Sequence, residues 1–200
     1  MPGECLYSPS GYPTVLIVEK PWYRKLFDRN REPTLESTQS RADQGDAGAQ
    51  FCLGLKYAAG EGEALDNVQA AHWYQKAAEQ SHSLAQFNLG IMYAQGQGMP
   101  RDEAKATVWF KKAADQGDAG AQYNLGMRQH RASGAGLSSE ALESKLEAFK
   151  WFHLAAAQGY KGSDAACERV TLSMSREELA DGAQRAADFV ATMPNPLHSS

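Results

Sequence analysis

From Ala49 onward, apolar and polar residues follow a helical period in two segments, and the pair of segments recurs. The first segment places Ala49, Leu53 and Tyr57 at i, i+4 and i+8, one face of a helix. The second reads A-x-x-W-[YF]-x-x-A-A and sets Trp73, Ala77 and Ala78 toward a neighbouring helix. Residues 49–81 align without a gap on 85–117, and Trp73 to Trp109 fixes the period at 36. A third unit opens as AQYNLGMRQHRASG (121–134) and closes as AFKWFHLAAAQG (148–159). Trp109 to Trp151 is 42, so this unit holds six extra residues, at or near LSSEAL. A period of this length, with glycines between two helical patterns, is the mark of stacked helix pairs.

The junctions are legible as chemistry. The nonapeptide ADQGDAGAQ stands at 42–50 and again at 114–122, with AEQSHSLAQ midway at 78–86. In it Gln-Gly ends one helix and Asp-Ala-Gly-Ala-Gln starts the next. GEGEALDNVQ (60–69) and GQGMPRDEAK (96–105) supply glycines that tolerate positive φ after the first helix. Asp66 with Gln69 predicts a capping box, whereas Asp102 is followed by Lys105 and is expected to cap alone. Gly54 and Gly90 each cost a helix about 1 kcal/mol against alanine, which predicts another backbone packed closely there.

The run A-x-x-x-L-G-x-x-Y, then G-x-G, an acidic residue, and A-x-x-W-[YF]-x-x-A-A-x-Q-G resembles the Sel1-like repeat, a relative of the tetratricopeptide repeat. The resemblance covers about Ala42–Gly159 and weakens into YKGSDAACERV (160–170). It implies an all-α chain: a right-handed α/α solenoid of antiparallel helix pairs with a C-terminal capping helix. The expected divisions are an N-terminal extension at 1–38, irregular or wrapping on the first repeat, repeats at 39–81, 82–117 and 118–159, a partial repeat and cap at 160–193, and a disordered tail at 194–200. The third copy departs at Gln129, where the others have tyrosine, and at Ala132, where they have glycine, so its turn is expected to be reshaped. Ser175 and Glu178 predict a capping box for a final helix, with Leu179, Ala183, Ala186 and Val190 along its apolar face. The segment YPTVLIVEKPWYRKLF (12–27) is expected either to wrap on the first repeat or to engage a partner.

Composition narrows the function. A net charge of −4 and pI near 5.7 argue against a nucleic-acid binder. The basic stretch Lys20–Arg31 is short and interrupted by Asp28. Cys5, Cys52 and Cys167 are odd in number and show no C-x-x-C, so neither a disulfide framework nor a zinc site is expected. The paired cysteines of the secreted branch of the family are also missing. With no signal-peptide run and no stretch of about 20 apolar residues, the expectation is a cytoplasmic protein without a membrane span. No cofactor or metal motif is present: the G-x-G pairs lack a preceding strand, and the histidines lack metal-ligand spacing.

The resemblance implies a non-enzymatic scaffold or adaptor that binds a protein or peptide on its concave face, lined by the first helices; self-association is compatible with this. An immunity-type binder that neutralises a toxin is the alternative within that class. Outside it stands a hydrolase using Cys52 or a groove histidine, which needs an accessible, acidified thiol. Positions that differ between copies are expected at the surface, which selects Asn88, Met92, Asn124, Arg128 and Gln129 as contact residues. On the same logic Trp109→Ala is expected to cost about 3–5 kcal/mol and Arg128→Ala to leave melting unchanged.

Overall fold

A computed structural model describes residues 35–60, 66–134 and 138–193, all helix and short turn. The helices are α1 (Leu35–Asp43), α2 (Ala47–Ala59), α3 (Asn67–Glu79), α4 (Ser83–Gln95), α5 (Glu103–Asp115), α6 (Ala119–Ser133), α7 (Ser139–Ala157), α8 (Ser163–Thr171) and α9 (Arg176–Thr192). Consecutive helices pack on one another, so α2–α3, α4–α5 and α6–α7 form three stacked pairs. Helix α1 begins inside the stretch expected to be irregular, and its Ala42 takes the place of Ala78 and Ala114 beneath the next tryptophan. The expectations for residues 1–34, the glycine turn at 61–65 and the tail at 194–200 lie outside the described residues.

Each pair closes on a glycine, although the partner is a ring and not a backbone. A Cβ on Gly54 would stand 2.5 Å from Tyr74, one on Gly90 2.8 Å from Phe110, and one on Gly126 2.7 Å from Phe152. The aromatic after each tryptophan therefore packs its ring against the first helix of its own pair. The tryptophan itself reaches the other way, into the junction with the preceding unit: Trp73 packs with Ala42, Ala49 and Leu53, and Trp151 with Ala114, Ala121 and Leu125.

Glutamines tie the two helices of each unit together and tie each first helix to the helix before it. Gln80 Nε2 donates to Gln50 Oε1 (2.8 Å), and Gln158 Nε2 donates to Gln122 Oε1 (2.9 Å). Gln50 in turn donates to the Ala42 carbonyl (3.0 Å) and Gln86 to the Ala78 carbonyl (3.0 Å) of the preceding helix. All three first-helix glutamines are buried, so these bonds replace lost water.

Asp66 and Asp102 cap α3 and α5 through Gln69 N (3.0 Å) and Lys105 N (2.9 Å). The return half of the predicted box does not form, because the Asp66 amide already donates to the Tyr57 carbonyl (3.1 Å). Asp102 repeats that bond onto Tyr93 (2.9 Å). In the third unit α6 runs on to Ser133 and ends at Gly134 with φ −70°, where Gly60 and Gly96 turn at φ 68° and 70°. Alanine at 132 cannot favour the left-handed turn, so the helix continues.

Helix α9 begins with the predicted box: Ser175 N donates to Glu178 Oε2 (2.7 Å) and Glu178 N to Ser175 Oγ (3.2 Å). Its buried face is Gly182 and Ala186, with Phe189 edge-on to Trp151 at 5.2 Å. Ala183 and Val190, expected on that face, are exposed. The choice follows from Gly182, where a Cβ would stand 2.6 Å from the Phe149 ring and its absence makes room for that ring. Lys145–Glu178 (2.8 Å) and Arg185–Glu143 (2.5 Å) pin the helix to α7.

Candidate functional site: the first-helix face

The first helices α2, α4 and α6 carry two apolar stripes each. One, built on Ala85, Leu89 and their equivalents, is fully buried against the second helices. The other, Leu84, Phe87 and Ile91 on α4 and Tyr123 and Met127 on α6, is half-buried. Its aromatics step from unit to unit: Phe51 stacks on His82 at 4.6 Å, Phe87 lies where a Cβ on Gly120 would be 2.8 Å from its ring, and Tyr123 meets Tyr160 at 5.4 Å. Burial, with the Asp118 charge nearby, pushes the Tyr160 phenol up to about 12. The stripe is half-buried on α4 and α6, whereas its counterparts on α2, Phe51 and Leu55, are 3% and 5% exposed and belong to the core.

The five residues selected by variation between copies do not form one surface. Met92 is 4% exposed and packs with Phe51, Leu55 and Tyr74, and Asn88 is 8% exposed. The surface expectation therefore fails at both. Asn88 Nδ2 is buried with no hydrogen-bond partner among the described residues, whereas Asn124 Nδ2 folds back on the Gly120 carbonyl (2.8 Å). Arg128 is half-buried over the Phe110 ring at 5.3 Å and pairs with Glu103 at 2.6 Å. Gln129 is half-buried and stands two residues, or about half a helical turn, from both Met127 and Arg131. The stripe that variation missed was visible as a second apolar i, i+3, i+7 series, Leu84–Phe87–Ile91, beside the core series.

The groups a hydrolase would use have other places. Cys52 is half-buried and burial pushes its thiol up, the opposite of an activated nucleophile. His82 is the N-cap of α4, its Nδ1 accepting from Ala85 N at 3.3 Å. His72 is exposed and edge-on to Trp73 at 5.4 Å, and His153 is exposed and stacked on Phe149 at 5.6 Å. His130 is half-buried, edge-on to Phe152. Among the described residues, no three His, Cys, Asp or Glu side chains are grouped to hold a metal, and no helix is long and apolar enough to cross a membrane.

Stacked helix pairs, a glycine-aromatic closure in each and an apolar first-helix face define an all-α repeat solenoid. The family model described as the Sel1 repeat matches residues 47–82, 83–118 and 119–160. The chain belongs to the Sel1 repeat family, whose members are generally scaffolds for protein–protein interaction. Among solved structures it is similar to a Sel1 repeat protein from Oxalobacter formigenes, at 34% identity and TM-score 0.57, over 68% of this chain and 97% of that one. It is also similar to a protective antigen of uropathogenic Escherichia coli strains that displays an SLR fold, at 25% identity and TM-score 0.68. That match spans 85% of this chain but 37% of the antigen. No curated protein matches the chain.

Proposed function

We propose that the protein is a non-catalytic adaptor that holds a protein or peptide partner on its first-helix face. The supporting observation is the stripe of Leu84, Phe87, Ile91, Tyr123 and Met127, which packs against the core clusters and yet stays half-buried. Helical repeat surfaces of this kind bind extended or helical segments through spaced apolar anchors. Asn124 and Arg128 flank the stripe as secondary contacts, while Asn88 and Met92 act through packing. A cytoplasmic setting agrees with the free thiols of Cys52 and Cys167.

The test is site-specific photo-crosslinking in the native cell. A photoreactive residue at position 91 is expected to capture a defined partner band, and one at Val108, on the outer helix and 53% exposed, is not. Equal capture from both positions, or capture from 108 alone, would remove the first-helix face from the proposal.

A further inference from the structure

Helix α9 caps a side of the stack more than its end. In the regular units the second helix packs on the first helix just before it, whereas α9 packs chiefly on α7 and passes over α8. The end is polar without it, because α8 presents Asp164, Glu168 and Arg169 to solvent. Along the side, Phe189 meets Trp151 edge-on at 5.2 Å. A Cβ on Gly117, in the turn between α5 and α6, would stand 3.0 Å from the Met193 methyl. The helix therefore braces the third unit against the second.

From this placement we infer that α9 is a reversible strap: it lifts from α7 as a unit, bares the Phe149 and Trp151 rings and unbraces the junction, while the solenoid stays folded. Its apolar hold is small, since Gly182 and Ala186 are its buried residues and Leu179 and Phe189 are half-buried. Elements with so few buried apolar contacts open at less cost than global unfolding. The rest of the hold is charge. Lys145 Nζ donates to Glu178 (2.8 Å), and Arg185 donates through both terminal nitrogens to Glu143 (2.5 and 3.0 Å) and faces Glu147 at 3.6 Å.

Every charge in this latch has somewhere to go on release. Glu178 also accepts from Ser175 N (2.7 Å), and Arg185 also donates to Asp181 (3.2 Å), both within α9. On the α7 side Lys145 also donates to the Ser173 carbonyl (3.3 Å), Glu147 also accepts from Lys150 (2.8 Å), and the Glu143 side chain is 58% exposed. Lifting the helix thus strands no charge, the event that makes breaking a buried pair expensive. The capping box, the Arg185–Asp181 pair and the bond from Gln184 to Asp188 (2.7 Å) are local to α9, so its helical form does not depend on α7. The link at Leu172–Met174 is the hinge, with Leu172 82% exposed.

The experiment is fluorine NMR of the full chain labelled with fluorotryptophan, the Trp151 resonance being assigned by Trp151→Phe and Trp73 serving as the internal control. Trp151 is expected to exchange between a major and a minor environment that Trp73 does not share. Arg185→Glu should raise the minor population about fivefold, the scale set by partly exposed ion pairs. Raising NaCl to about 0.5 M should raise it by less. Glu143→Arg in the Arg185→Glu background should return the population toward the wild-type value. Phe189→Leu, which removes the ring contact and no charge, should raise it too, and carries the test if Arg185→Glu fails to fold. Circular dichroism melts check that the stack is intact in each variant. A single Trp151 environment in the wild type and in every variant would overturn the inference. So would a minor state that Trp73 enters together with Trp151, since that is opening of the whole stack.

Discussion

Gln116 donates from Nε2 to Oε1 of Gln86, 2.7 Å away and 30 residues earlier in the chain. The donor sits at the end of the second helix of one unit, and the acceptor is 3% exposed in the first helix of that unit. Gln86 then passes its own Nε2 to the Ala78 carbonyl of the unit before. One side chain therefore ties three helices, α3, α4 and α5.

Gln86→Leu should accordingly destabilise the solenoid by about 1–3 kcal/mol, the usual cost of losing buried hydrogen bonds, with the Gln116 amide freed to water. Urea unfolding of Gln86→Leu, Gln116→Ala and the double variant measures this. The double variant should be less destabilised than the sum of the singles, since both remove the same bond. Strict additivity would mean that the bond contributes nothing to stability.

Gly90→Ala and Gly126→Ala should each cost on the order of 1–3 kcal/mol, because the new methyl enters the space of Phe110 or Phe152. An exposed glycine control, Gly159→Ala, meets nothing within 4 Å but has φ 69°, so it reports backbone strain alone. Combining Gly126→Ala with Phe152→Leu should cost less than the sum of the two changes. Thermal melts of the set separate ring contact from helix propensity, and failure of that rescue would mean the ring is not what the glycine accommodates.

The tryptophans divide in a way the repeat alone does not predict. Trp151 is 2% exposed beneath Phe189, whereas Trp109 is half-buried with Lys112 3.9 Å over its ring. Trp151→Ala should cost about 3–5 kcal/mol and Trp109→Ala less. Arg128→Ala, expected from sequence to be silent, should cost about 1 kcal/mol, because the side chain covers Phe110 and pairs with Glu103. Denaturant midpoints ranked in any other order would contradict this account of the junctions.

Period, helix order and a close approach at each first-helix glycine could be read from the chain because every unit repeats the same contacts, but the approach is made by an aromatic ring where a backbone is expected from the sequence. The site was harder for a physical reason. Position 92 and its equivalents differ between units because their neighbours differ: Met92 meets Leu55 and Tyr74, while Arg128 at the same register meets Phe110 and Glu103. Variation there reflects partner exchange inside the stack and not exposure to solvent. Likewise the face of α9 was misassigned because Gly182, which carries no apolar side chain, is the residue that admits Phe149. Apolar periodicity cannot register a contact made by the absence of a side chain.

Protonation of His82 should loosen the junction between the first two units. The imidazole caps α4 as an acceptor and stacks on Phe51, and both roles require Nδ1 to be unprotonated or the ring to be uncharged. The other two units use Asp46 and Asp118 at this place. Burial lowers the His82 pKa below its usual 6.5, and no neighbouring charge contributes to the shift. The unfolded chain therefore binds the proton first, so stability is full above pH 6.5 and declines as pH falls through 6.5 toward the lower folded value. A cation at a helix N-terminus also opposes the dipole, in the same direction. His82→Asp should flatten the stability profile between pH 7 and 5, since an aspartate cap stays charged there and loses its bond only in stronger acid. Chemical denaturation at pH 5.0, 6.0 and 7.0 measures both proteins; parallel profiles would remove His82 as the source of any acid sensitivity in that window.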